Sequence, residues 1–265
     1  MEDQQTFFDF AAEVGLTKHI GGIEATEALI QQCHIDERKY ILDVGCGVGV
    51  TPSYIAKKYG TRIMGVDIIE KMIERSTERA RKLGVADRVE FKVADAQDLP
   101  FNDGLFDAVI AESVIALVGD QQGAINEFVR VTKPGGYVGL NESLWLKTPP
   151  PPDVVAWASQ DIGSNVRPQT LDTWRGLLES AGLQDIATRT FEIKIQDEAK
   201  GILQRYGLGG MLRIYWRILL LYIRNPAYRK FVSEVQASGI IPKNLDEYFG
   251  YGLFVGQKHE RPSQE

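Results

Sequence analysis

An α/β fold with a mainly parallel sheet is predicted by three observations. Short apolar segments alternate with amphipathic ones from residue 40 to about residue 142. A glycine-rich turn joins the first apolar segment to the first amphipathic one. The amphipathic segments carry start or stop residues of helices. Alternation at this spacing builds βαβ units, whose crossover helices make neighbouring strands parallel.

Residues 1–37 read as helical and amphipathic, with a break at Gly21-Gly22. Tyr40 to Val44 is a short strand of the buried type, followed by Gly45-Cys46-Gly47-Val48-Gly49 and a helix to Tyr59. Thr51 suits the N-cap of that helix and Pro52 its first position. Arg62 to Val66 is the second strand, ended by Asp67. Over residues 69–83, Ile69, Met72, Ile73, Ala80 and Leu83 share a helical stripe, and Gly84 stops it. Val89–Val93 and Phe106–Ala111 are further strands, and Gln121 to Val131 is a helix. Lys133-Pro134-Gly135-Gly136 is a turn into a strand from Tyr137 to Asn141. Thr148 and the four prolines at 149–152 predict a stiff extended spacer. A helix from Thr170 to Ala181, closed by Gly182, and a strand from Asp185 to Ile195 follow. Residues 197–238 are mainly helical, and Tyr248 to Gln257 returns to strand. The strand segments number seven, with a helical segment between the last two.

Composition narrows the function. The 265 residues suit one large α/β domain or a domain with a cap. Lys plus Arg number 30 against 36 Asp plus Glu, a formal charge of -6. With no basic surplus to neutralise phosphates, a nucleic-acid substrate is not expected. The two cysteines, Cys33 and Cys46, make no disulfide framework, and no metal-ligand spacing surrounds them. The acidic start, Met1-Glu2-Asp3, lacks the order of a signal peptide, and no long uncharged apolar run occurs, so a cytoplasmic protein is expected.

The chemistry centres on the turn at 45–49. Glycines there let a ligand approach the backbone at a helix N-terminus. A dinucleotide fingerprint beginning at Gly45 would need a sixth-position glycine, where this chain has Val50. The third glycine falls one residue earlier, at Gly49, which tilts the choice from NAD toward S-adenosylmethionine (SAM). Asp67, at the end of the second strand, is placed to accept hydrogen bonds from ribose hydroxyls. Asp95-Ala96 follows the third strand, where a carboxylate and its neighbouring backbone could hold an adenine amino group.

Taken in order, Leu42-Asp43-Val44-Gly45-Cys46-Gly47-Val48-Gly49, Val66-Asp67, Ala94-Asp95-Ala96, Leu99-Pro100-Phe101, Phe106-Asp107-Ala108-Val109 and Lys133-Pro134-Gly135-Gly136 resemble the class I SAM-dependent methyltransferases. The resemblance is to the small-molecule group that includes the ubiquinone/menaquinone-biosynthesis methyltransferases. It covers about residues 38–142. It implies a Rossmann-like, seven-stranded, mainly parallel sheet with a reversed last strand. It also implies that Asp43 orients the loop or reaches the methionine amino group, and that Gly45, Gly47 and Gly49 pass beneath the cofactor with Cys46 among them. By the same resemblance Ile68 packs on adenine, Glu112 and Ser113 lie near the methionine end, and Thr17 to Gly22 belongs to an N-terminal lid. The place after the fourth strand reads Ala111-Glu112-Ser113-Val114, without the Asn/Asp-Pro-Pro-aromatic motif of nucleobase and glutamine methyltransferases. Methyl transfer from SAM to a small organic acceptor is therefore expected, with a lipid-like quinone precursor, or a non-methylating SAM- or NAD-binding Rossmann protein, as the alternatives.

Methyl transfer needs a base only for a protonated nucleophile. His19, beside Gly21-Gly22, and Glu142, at the end of the fifth strand, are the candidates. His34 and His259 read as surface residues. Carboxylates at Glu112 and Glu142 would suit an amine or cationic acceptor, whereas aromatic residues after the sheet would suit an apolar one. The apolar stretch Met211 to Arg224 reads in three ways: a cap over the acceptor, a homodimer interface, or a peripheral membrane contact with Arg213 and Arg217 near headgroups. The expected division is an N-terminal helical lid at 1–37, a SAM-binding domain at 38–196, a helical cap at 197–245, and a last strand and tail at 246–265.

Overall fold

The computed structural model describes residues 7–17, 19–160, 166–193, 195–238 and 242–259. Helices α1 (Phe7–Val14) and α2 (Gly22–Gln32) precede the sheet. Strand β1 (Tyr40–Val44) leads through the glycine turn into α3 (Val50–Tyr59), then β2 (Arg62–Asp67), α4 (Glu70–Leu83) and β3 (Val89–Val93). Then come β4 (Phe106–Glu112), a single 3-10 turn (Ile115–Leu117), α5 (Gln121–Val131) and the long β5 (Thr132–Trp145). Helix α6 (Pro152–Gln160), the short β6 (Gln169–Thr170), α7 (Leu171–Ser180) and β7 (Gln184–Glu192) come next. The chain closes with α8 (Ile195–Arg224), α9 (Pro226–Ser238), α10 (Leu245–Tyr248) and β8 (Phe249–Gln257).

The strands form one sheet in the order β3-β2-β1-β4-β5-β8-β7, with β6 paired to the far end of β5. All pairs from β3 to β5 are parallel, and β8 runs antiparallel between β5 and β7. The expected mainly parallel sheet with a reversed last strand is therefore present, and β6 adds an eighth strand. The order reverses direction between β1 and β4. Chain crossovers diverge there, opening a crevice at the carboxyl ends of the strands.

Two apolar layers sandwich the sheet. Leu29, Ile30, Ile55, Ala56 and Ala80 of α2, α3 and α4 cover one face with Ile41, Ile63 and Ile110. Ala124, Ile125, Phe128, Trp174 and Leu178 of α5 and α7 cover the other with Leu42, Val109 and Leu140. Strand alternation divides these sets, since odd residues of β1 and even residues of β4 point to the α2 side.

Several local expectations change. Helix α3 starts at Val50, not after Thr51: Gly49 takes φ 71° as its N-cap, and the Thr51 hydroxyl donates to Glu112 (3.1 Å) instead of capping. The expected turn at 133–136 lies within β5 as an irregularity, because pairing shifts between Phe106↔Thr132 and Ala108↔Tyr137. Pro152 does not continue an extended spacer but opens α6, where a proline costs no helix hydrogen bond. Helix α5 spans Gln121–Val131 as read, with Asp120 capping Gly123. Thr170 caps α7 through Thr173.

Candidate active site

The turn after β1 is shaped by its glycines. Gly47 holds φ 53°, and a Cβ there would lie 2.8 Å from Thr17 Cγ2. Only glycine adopts this conformation freely while permitting such an approach. Its amide donates to Asp67 Oδ2 (2.9 Å), while Asp67 Oδ1 accepts from the Ile69 amide (3.0 Å). Asp67 thus ties the end of β2 to the glycine turn. Burial outweighs these hydrogen bonds and raises its carboxyl above the usual range. Next to it, Ile68 is 64% exposed, an apolar side chain that a flat ring could cover. Asp95 accepts from the Gln97 amide (2.9 Å), and Ala96 is buried beneath that turn.

Four neighbouring strands present polar side chains to one face of the sheet. Asp43 on β1 pairs with Gly65, two residues before Asp67 on β2. It also pairs with Ile110, two residues before Glu112 on β4. Glu112 in turn pairs with Asn141 on β5. Alternation then turns Asp43, Asp67, Glu112 and Asn141 to the α2 side at the carboxyl edge. Asp43 is buried, and its Oδ2 has no hydrogen-bond partner among the described residues. Burial first, and then the charges of Glu112 and Asp67, push its carboxyl well above the ordinary range. A buried carboxylate with an orphaned oxygen in an acidic cluster is incomplete without a cationic donor. An α-ammonium or a sulfonium supplies that charge, and the ammonium also supplies the missing donor. The residues present fit SAM on this observation.

Glu112 is the hub of a buried network. It accepts from the hydroxyls of Thr26 and Thr51 (both 3.1 Å), and His19 Nδ1 lies 3.3 Å from its Oε2. His19 is 8% exposed; its Nδ1 also faces the Ile20 carbonyl (3.3 Å), and its Nε2 faces Thr26 Oγ1 (3.2 Å). The Asn141 amide nitrogen also stands 3.5 Å from Nδ1, so both ring nitrogens of His19 are tied into the network around Glu112. Asn141 Nδ2 donates to the Ile20 carbonyl (2.7 Å), and Ser113 Oγ accepts from the Ile20 amide (3.1 Å). The N-terminal segment is thereby fastened over the ends of β4 and β5. Lys18 lies outside the described residues.

Glu142 sits elsewhere. It is 0% exposed on the opposite face of β5, and its two oxygens accept the amides of Val114 (2.8 Å), Ile115 (2.7 Å) and Ala116 (3.2 Å). Burial pushes its carboxyl up to about 7 against these bonds. The side chain holds the turn after β4 in place and faces no open acceptor space, so the pairing of Glu112 with Glu142 around an amine finds no support in the geometry. His34 and His259 are both exposed, with His259 against Asp185 (2.7 Å). Cys46 is buried inside the turn, where burial pushes its thiol well above the usual range.

Sequence reasoning missed Thr26, Thr51, Asn141 and Tyr206. The Tyr206 hydroxyl donates to the Thr17 carbonyl (2.7 Å) and accepts from the Thr17 amide (2.8 Å), joining α8 to the residue that covers Gly47. Asn141 opens the polar run Asn141-Glu142-Ser143, so alternation did not mark it, and its place beside Glu112 follows from the register of β4 and β5. Thr26 and Tyr206 meet the site only through tertiary folding, and no local pattern marks them.

The chain matches a family model described as "Methyltransferase domain" over residues 42–140, the span holding the glycine turn and the polar row. It is 30% identical over 217 residues to an uncharacterized protein of Haemophilus influenzae, covering 81% of this chain and 86% of that one. It is 34% identical over 145 residues to the 27-O-demethylrifamycin SV methyltransferase of Amycolatopsis mediterranei, 54% of this chain and 53% of that one. The chain thus spans about half the length of that relative. Among solved structures, a SAM-dependent methyltransferase from Geobacter sulfurreducens in complex with S-adenosylhomocysteine superposes with TM-score 0.68 at 20% identity, over 95% of this chain and 98% of that one. By the family match, the long relative and the glycine turn with its carboxylates at the carboxyl edge, the chain belongs to the class I SAM-dependent methyltransferases.

Proposed function

We propose that this chain moves the methyl group of SAM to a nitrogen or oxygen of a small organic acceptor seated against the ends of β4 and β5. The observation that carries this reading is the polar row across one sheet face: Asp67, Asp43, Glu112 and Asn141 in strand order. Bound SAM would supply an electrophilic methyl group, whose carbon the acceptor attacks in line as the bond to sulfur breaks and S-adenosylhomocysteine leaves. Asp67 takes the ribose hydroxyls, Ile68 covers adenine, and Asp95 with Ala96 borders its edge. Asp43 holds the ammonium. The acidic cluster stabilises positive charge on the sulfonium side. No metal is required, and among the described residues no cluster of metal-ligating side chains occurs.

The acceptor side follows from the same strand. Asn141 Oδ1 and Ser143 Oγ are buried without hydrogen-bond partners among the described residues, and both lie on the α2 face of β5. Buried orphans of this kind await an N–H or O–H group. The relative from Amycolatopsis mediterranei, whose name records an O-demethylated rifamycin, gives a hydroxyl precedent. Trp145, Trp157 and Phe249 pack edge to face nearby and give the acceptor's carbon skeleton an apolar wall. His19, oriented by Glu112, takes the proton when the nucleophile arrives protonated. α1, α2 and the start of α8 act as the lid that excludes water.

A panel of amines, phenols, alcohols and quinone-like carbon nucleophiles tests this. Turnover on N–H or O–H acceptors is expected, with kcat of His19→Gln lower by roughly 10²-fold or more at an unchanged affinity for S-adenosylhomocysteine. Activity confined to carbon nucleophiles would transfer the assignment to the lipid-like quinone precursor. A His19→Gln enzyme with wild-type kcat would reduce His19 to a structural tie.

A further inference from the structure

Beyond Gly207, where the backbone leaves helical geometry, α8 carries an apolar face that the described residues leave open. Leu208, Leu212, Tyr215, Trp216 and Ile223 are 80%, 61%, 60%, 55% and 62% exposed. Their spacing places them on one side of the helix. The opposite side packs on the protein through Ile214. Arg213, Arg217 and Arg224 run along one boundary of the open face, and residues 208–224 contain no acidic side chain.

These arginines continue into a cavity of about 220 Å³ between α4 and α8. Its walls carry Arg75, Arg79, Lys82, Arg213 and Arg217, with Glu78 alone of opposite sign. Arg79 donates to the Val48 carbonyl (2.8 Å) and Arg217 to the Val14 carbonyl (3.2 Å), so both guanidiniums are held in place. The Arg75 guanidinium donates to the Glu13 carbonyl (3.2 Å) and faces Glu78 (3.6 Å) while its Nε is buried with no hydrogen-bond partner among the described residues, and Lys82 pairs with Glu78. Positive charge is concentrated here in a chain of net charge -6. Such a cluster is incomplete without an anion, and guanidiniums suit the oxygens of a phosphate.

No helix among the described residues is long and apolar enough to cross a membrane. An exposed apolar face bordered by arginines instead suits the plane of the headgroups, with tyrosine and tryptophan at the boundary. A second copy of the chain fits less well, because a two-fold contact through α8 would bring two arginine rows together without a carboxylate between them.

We propose that α8 docks this protein on an anionic phospholipid bilayer, with Leu212, Tyr215 and Trp216 entering the acyl boundary and lipid phosphates meeting the arginine row along the edge of that face. This site lies on the α4 flank and goes beyond the methyl-transfer reading. It places the enzyme beside substrates that partition into, or leave from, a membrane surface.

Flotation of the full chain with vesicles of phosphatidylcholine alone, or doped with phosphatidylglycerol, tests the proposal. Binding is expected only to the doped vesicles, weakening as salt rises, with a blue shift of tryptophan emission that Trp216→Phe removes. Arg213→Glu should lower vesicle affinity roughly tenfold or more, and Leu212→Asp should abolish flotation. Both positions are exposed, so unchanged circular dichroism and unchanged S-adenosylhomocysteine binding separate loss of docking from loss of the fold or of the cofactor site. Equal binding to both vesicle types, or none to either, would overturn the proposal. So would calorimetric binding of inorganic phosphate by a chain that ignores vesicles. A concentration-dependent dimer in sedimentation, dissolved by Leu212→Asp, would give the face to a second copy instead.

Discussion

Asp43 and Asp67 both carry carboxyl groups raised by burial, and Asp43 is raised further by its acidic neighbours. A bound cation favours their ionised forms, so SAM binding should release protons and tighten as pH rises through the raised range. Calorimetry in buffers of different ionisation enthalpy reads this directly, and Asp43→Asn should diminish the release. Glu142 tests a different link, from burial to stability. Its folded value of about 7 stands above the ordinary 4.5, so its favourable contribution is complete below about 4.5 and is lost as pH rises through 7. Between pH 5 and pH 8 this group alone should cost the native state up to about 3 kcal/mol. Glu142→Gln, which does not titrate, should show a shallower decline in urea midpoint over that window. Identical pH profiles for the two proteins would remove the buried carboxyl from the account. The unlike fates of Glu112 and Glu142 arise from alternation along neighbouring strands. One faces the cluster and the other faces the turn it holds, a distinction that residue type alone does not carry.

Among the elements, the N-terminal segment and α8 matter most because they meet over the glycine turn. Thr17 lies against Gly47 and is held on both its amide and its carbonyl by Tyr206. Tyr206→Phe removes both bonds while keeping the ring. It should weaken binding of S-adenosylhomocysteine several-fold and expose the segment around residue 17 to proteolysis, with little change in melting temperature. Gly47→Ala strikes the same contact from below. A φ of 53° with Thr17 at 2.8 Å strains any side chain there, so a loss of about 1–2 kcal/mol in stability is expected together with weaker cofactor binding. Unaltered binding in both variants would mean that the segment does not act as a lid. The prolines at 149–152 show where element boundaries escape sequence reading: the same residue that stiffens an extended chain also fits the first turn of a helix, and here Pro152 opens α6.

At the scale of the molecule, the parallel half was legible because its signals are local. Apolar periodicity, Gly84 closing α4 and Asp120 capping α5 all act within a few residues of the chain. The proposed cofactor side of the site draws on signals of the same kind, since Asp43 stands one residue from the end of a strand and Asp67, Asp95 and Glu112 each end or follow one. The acceptor side does not. Thr26 reaches Glu112 across 86 residues, and Tyr206 reaches Thr17 across 189, so those partners exist only after the sheet and its covering helices assemble. The eighth strand escaped notice as well, because two residues leave no period to read.

The most direct test of the central claim is calorimetric titration of SAM, S-adenosylhomocysteine and NAD into the wild-type protein and Asp67→Ala. Micromolar binding of both adenosyl ligands, weakened roughly tenfold or more when the ribose contact is removed, is the predicted result, with no heat from NAD. Binding of NAD without binding of either adenosyl ligand would contradict the assignment and make the chain a nicotinamide enzyme on a related sheet.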